Sequence, residues 1–116
     1  MSKIKKLNSN SRWSEVVISD NRIETSGIVA KDASQDITLQ TKCVLNQLEQ
    51  FLNDAGADKS QLTRIQIWLN SIHDLDAMNV VYDEWVSDIE KPARACVGSQ
   101  LASTYLLEIQ ATAFLN

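Results

Sequence analysis

A single histidine, two cysteines, one proline and three glycines leave little room for several kinds of chemistry in these 116 residues. His73 has no Cys or His at ligand spacing, so a metal centre lacks its donors. Cys43 and Cys96 do not make a disulfide framework, and no Cys-x-x-Cys pair is present. That usage fits a reducing, cytoplasmic compartment. No run of Lys or Arg occurs. Fifteen acidic residues against eleven basic give a net charge of −4, which opposes binding to a nucleic-acid backbone. The short basic group Lys3, Lys5 and Lys6 reads as a solvated tail. No stretch approaches the roughly 18 apolar residues of a membrane span, and the start of the chain lacks the apolar core of a signal peptide. Linkers, repeats and low-complexity segments are also missing, so residues 1–116 read as one domain. A core of this size is thin, and association with further copies would help to stabilise it.

What is present is a series of periodic stretches. Residues 4–7 carry only a weak strand signal. Residues 13–29 read as a hairpin turning at Asp20-Asn21, two residues that tolerate positive φ. From Ile37 the apolar residues fall at helical spacing through Val44, Leu48, Phe51 and Leu52, with Asp36 as cap and Gly56 as stop. Residues 62–70 alternate: Ile65, Ile67 and Leu69 point one way, and Arg64, Gln66, Trp68 and Asn70 the other. A second helix, capped by Asp74, buries Leu75, Met78, Val81 or Tyr82, and Trp85, and ends before Pro92. Two strands follow, at 94–101 and 105–115. In the last, Leu107, Ile109, Ala111 and Ala113 face the core, and Leu106, Glu108, Gln110 and Phe114 face away.

The expected fold class is α+β, in the order β-β-α-β-α-β-β. Two amphipathic helices can cover only one face of such a sheet. The other face is expected to carry Trp68, Leu106, Phe114, Arg94 and Glu108, the last two on adjacent antiparallel strands. A face so mixed in polarity calls for burial between subunits, with a pocket lined from two chains.

A guanidinium and a carboxylate inside strands can act chemically. Arg94 has a planar fork suited to bidentate binding of a carboxylate, and it stays charged. Glu108 can orient or deprotonate a water. Ser26 and the backbone around Cys96 can add hydrogen bonds. The plainer reading is a cross-strand ion pair between Arg94 and Glu108. Cys96 as a nucleophile needs a neighbouring base, and His73 is the only histidine available. Asn79 either faces solvent or makes a polar contact into the site. Trp13, at a strand start, reads by pattern as a packing residue.

The run Pro92-Ala-Arg-Ala-Cys-Val97, with Leu107-Glu108-Ile109 after it, resembles the RidA/YjgF family of reactive imine deaminases. The similarity extends to Thr25-Ser26-Gly27, to Ile65-Gln-Ile-Trp-Leu69 and to Met78-Asn-Val-Val-Tyr82. The resemblance implies a chorismate-mutase-like fold assembled as a homotrimer, with two helices on one face of each sheet and sites in the clefts between subunits. It implies hydrolysis of 2-imino or enamine acids to 2-oxo acids and ammonia, without cofactor or metal. Arg94 would hold the substrate carboxylate and Glu108 would position water. Cys96 would line the pocket, with Ser26 and Asn79 bordering it. Ser11-Arg-Trp-Ser14 stands where the best-known branch has Gly-Pro-Tyr, so the sequence resembles an Arg-Trp-Ser branch in which Trp13 alters the pocket. A non-catalytic trimer binding small carboxylates would use the same residues.

Overall fold

In a computed structural model, which describes residues 3–116, the chain forms one six-stranded sheet with two helices packed on one face. The strands are β1 (Ile4–Ser9), β2 (Ser14–Ser19), β3 (Arg22–Thr25), β4 (Leu62–Leu69), β5 (Ala93–Gly98) and β6 (Leu107–Phe114). The helices are α1 (Ile37–Asp54) and α2 (Leu75–Trp85). In space the strands run β1-β2-β3-β6-β4-β5. The expected order thus lacks one strand, because β1 is a full edge strand and not a solvated tail. Most of its side chains are exposed, and its ladder to β2 holds it, so the periodicity of its sequence says little.

Each element follows from its residues. Asp20 takes φ 54° at the β2–β3 turn. The Asp36 carboxylate accepts the Leu39 N–H at 2.9 Å and caps α1. Gly56, at φ 85°, ends the helix in a conformation that disfavours other residues. Val44, Leu48 and Leu52 of α1, Met78 of α2, and Ile65, Ile67, Leu69, Leu107, Ile109 and Ala113 of the sheet are fully enclosed in one core. Asp74 occupies the cap position of α2, but its side chain accepts no capping hydrogen bond. A tight 3₁₀ turn at Ile72–Asp74 leads into the helix, and the Ser71 hydroxyl caps that turn instead.

The strand after α2 departs most from expectation. β5 lies parallel to β4 and does not touch β6. A helix between two strands makes a crossover, which returns the second strand in the same direction as the first. Residues 99–106 then carry the chain back so that β6 can enter between β3 and β4.

Two buried polar side chains shape the loops near the site. Thr25 is buried; its hydroxyl accepts the Ala111 N–H at 3.1 Å and donates to the Ser26 carbonyl at 2.8 Å. The side chain substitutes for a ladder bond where Ser26 and Gly27 leave the sheet. Ile28 then rejoins it through two bonds to Ile109. Gln40 is wholly buried in α1. Its amide donates to the Ala33 and Gln35 carbonyls at 3.1 and 2.8 Å and accepts the Leu106 N–H at 3.0 Å. One side chain therefore ties the loop before α1 to the loop before β6. Gln40→Leu leaves these buried groups without partners, at about 1–3 kcal/mol for each that water does not reach. Urea unfolding at fixed protein concentration is expected to show a loss of about 3 kcal/mol, and a loss below about 1 kcal/mol would contradict this assignment.

Candidate functional site

Arg94 and Glu108 do not meet within the chain. Arg94 stands opposite Ile65 of β4, which stands opposite Ala111 of β6. Glu108 stands opposite Trp68, which stands opposite Val97. Residues directly opposite one another share a face. Arg94 therefore lies on the helix-covered face with buried Ile65 and Ala111, at the open edge of the sheet. Glu108 lies on the uncovered face with half-buried Trp68 and exposed Val97. Their backbones are separated by two strand spacings and three residues of rise, each roughly 10 Å. The expected shared face and the cross-strand ion pair are both overturned, because the α2 crossover puts β4 between the two strands.

The proposed site residues fall instead into two groups. In the first, the Arg94 Nη1 donates to Asn79 Oδ1 of α2 at 2.8 Å. The guanidinium carbon sits 4.7 Å from the centre of the Tyr82 ring. Tyr82 is itself buried, so this ring is a fixed platform. A cation over an aromatic face gains about 0.5–2 kcal/mol, and the side-chain amide fixes the rotation of the fork. Arg94 remains exposed, and this bond uses one of its five N–H donors. Tyr82 could be read from sequence only as part of the helix stripe. Its second role becomes visible once the parallel register brings Arg94 beside α2.

Cys96 follows two residues later on the same face and is half-buried. Burial pushes its thiol up, and the nearby Arg94 charge opposes this only in part. The thiol is therefore protonated near neutral pH, which disfavours a thiolate nucleophile. Burial likewise raises the Tyr82 phenol; Arg94 pulls it down and Asp83 pushes it up.

The second group surrounds Glu108. Its carboxylate occupies the space that a Cβ on Gly27 would need, so this close approach requires glycine. Trp13, Ser26 and Gly27 line a cavity of about 140 Å³ together with Ile28, Gln47 and Phe51. Trp13 is 53% exposed and borders this cavity, so it is not the packing residue its pattern suggests. Ser26 and Asn79 thus belong to different groups of one chain. Gly27 stood out in sequence only as part of Thr25-Ser26-Gly27; its contact with Glu108 needs the β3–β6 geometry. Among the described residues, no three of His, Cys, Asp and Glu come together as a metal site. No described helix is long and apolar enough to cross a membrane.

The architecture is that of an α+β protein with one helix-covered sheet face and its site groups divided between two places on the surface. The family model described as endoribonuclease L-PSP matches residues 3–115, and the chain belongs to that family, which is also the YjgF/RidA family. A RutC family protein from Haemophilus ducreyi is 32% identical over 114 residues, covering 97% of both chains. The RutC family protein YoaB of Escherichia coli is 32% identical over 111 residues, 95% of this chain and 96% of its own. A YjgF-family crystal structure from Neisseria meningitidis superposes with a TM-score of 0.94 at 34% identity, covering 98% of this chain and 96% of that one.

The contact between Arg94 and Tyr82 can be read spectroscopically. In a Tyr105→Phe background, Tyr82 is the one remaining tyrosine. Arg94→Ala removes the charge that favours the phenolate, so the Tyr82 phenol should titrate at still higher pH. Ultraviolet absorbance across the alkaline range checks this; an unchanged or lowered midpoint would show that the cation does not sit over the ring.

Proposed function

We propose that the chain hydrolyses 2-imino and enamine acids to 2-oxo acids and ammonia. The site would form where the Arg94 group of one copy meets the Glu108 group of the next in a homotrimer. Membership of the family supports a broad RidA-like role. The observation that carries the finer reading is the division itself: a carboxylate-binding fork and a water-orienting carboxylate each stand near the surface of one chain, on opposite faces of its sheet. Each is half of a hydrolytic site, and a second copy supplies the other half.

In the proposed reaction the Arg94 fork binds the substrate carboxylate and sets its orientation, with Asn79 and Tyr82 holding the fork in place. Glu108 accepts a hydrogen bond from water and directs it at the imine carbon. The carbon–oxygen bond forms as the C=N π electrons move to nitrogen, giving a carbinolamine, and Glu108 takes the water proton. That proton passes to the nitrogen; the carbinolamine hydroxyl then gives its own proton to Glu108 as its oxygen electrons form the C=O bond, the carbon–nitrogen bond breaks with its electron pair going to nitrogen, and the 2-oxo acid and ammonia leave. The iminium carbon is already electrophilic, so orientation and one proton acceptor suffice without a cofactor or metal. Cys96 contributes pocket wall and Ser26 a hydroxyl at the rim. The substrate is a small molecule met in the cytoplasm, with no role for nucleic acid or membrane.

A coupled assay tests this. An enzyme that releases a 2-imino acid is supplied with semicarbazide, and the chain is judged by how far it lowers the trapped imine. Arg94→Ala removes a charge-paired contact to substrate worth about 2–5 kcal/mol, so kcat/KM should fall by about 30-fold or more, with the oligomer intact. Glu108→Gln should lower kcat by about 10²–10⁴. Saturable binding of 2-oxo acids without any effect on imine lifetime would identify a binding protein instead.

A further inference from the structure

The small pocket that Trp13 and Ser26 line shares part of its wall with a second hollow. Gly27, against which the Glu108 carboxylate packs, opens into a neck walled by Trp13, Ile28, Val29 and Phe51. Glu15, Gln47 and Phe51 line both this neck and a larger hollow of about 520 Å³ along the flank of α1. The neck is mostly apolar. Polar side chains ring the hollow beyond it: Lys31, Asn46, Gln47 and Gln50 join Glu15 around Cys43 and Phe51. Gln47 donates to the Val29 carbonyl at 2.9 Å, which fixes the loop after β3 to α1 and holds the neck at a set width.

Resting on the function proposed above, we propose that this trough receives the side chain of the imino acid. The preferred substrates are then 2-imino acids with an aliphatic stem of three or four atoms and a neutral hydrogen-bonding end. The stem lies between Trp13 and Phe51, where burial of each methylene gains about 0.8 kcal/mol. The end group meets the amides of Asn46 and Gln50. The hollow holds one cation, Lys31, and one anion, Glu15, so its lining has no net charge and favours neither acidic nor basic ends. Small imino acids leave the trough filled only with water and forgo these contacts.

Three imines made in place by one amino-acid oxidase test the idea: those of 2-aminobutanoate, norleucine and citrulline. The citrulline imine should be hydrolysed with kcat/KM at least about tenfold above that of the 2-aminobutanoate imine, with norleucine between, consistent with differences of a few methylenes and one or two polar contacts. Asn46 and Gln50 are exposed on α1 and touch neither Arg94 nor Glu108, so Asn46→Ala with Gln50→Ala leaves the proposed chemistry in place. That double variant should lose at least about fivefold on the citrulline imine and keep its rate on the 2-aminobutanoate imine. Equal rates on all three imines, or an equal loss on all three in the double variant, would overturn the side-chain trough while leaving imine hydrolysis standing. Hydrolysis of none of the three would remove the proposed function and this inference with it.

Discussion

The placement of β4 between β5 and β6 is the constraint on which the rest depends. It follows from the α2 crossover, which sends β5 back parallel to β4 at the edge of the sheet. With β5 there, an even-numbered residue such as Arg94 turns toward the helices, where Asn79 and Tyr82 receive it. With β6 inside the sheet, Glu108 turns the other way and meets Gly27. A single register choice therefore gives the fork its clamp, gives the carboxylate its glycine, and keeps the two from neutralising each other. Had the strands been neighbours, an ion pair would have satisfied both charges and left neither available to a ligand.

Much of this was legible in the sequence. The alternation over 62–70 and 105–115 and the helical spacing after Ile37 and Leu75 give the core residues that the structure buries, because each segment has one apolar face and one partner to bury it against. The Asp36 cap and the Gly56 stop are local and were readable for that reason. Pairing was not. Periodicity says which side of a strand faces inward relative to its own neighbours in sequence, and nothing about which strand lies beside it. Reading β5 and β6 as a hairpin placed Arg94 on the wrong face. The helix between β4 and β5 was the available signal, since a strand after a crossover runs parallel to the one before it. β1 gave only a weak signal at residues 4–7 for a different reason: an exposed edge strand is held by backbone bonds, which leave little mark on its side chains.

The candidate residues divide in the same way between what is local and what needs the fold. Arg94, Asn79, Cys96, Ser26, Glu108 and Trp13 were each singled out from sequence, and the structure gathers them into two groups of three. Tyr82 and Gly27 carry no chemical signal of their own. One acts by presenting a buried ring and the other by presenting nothing at all. Both are legible only as contacts between distant segments. Burial also pushes the Cys96 thiol up, which disfavours a thiolate there.

The two groups make a complete site only if different copies supply them, and that claim has a direct test. Arg94→Ala and Glu108→Gln chains, each expected to lose most of its imine hydrolysis, are produced together with different affinity tags, and the mixed oligomers are isolated. A site shared between copies predicts that activity returns, to about one third of that of the unmodified trimer, because every mixed trimer has one interface at which one chain supplies the intact fork and its neighbour the intact carboxylate. Mixed oligomers as inactive as either parent would contradict it.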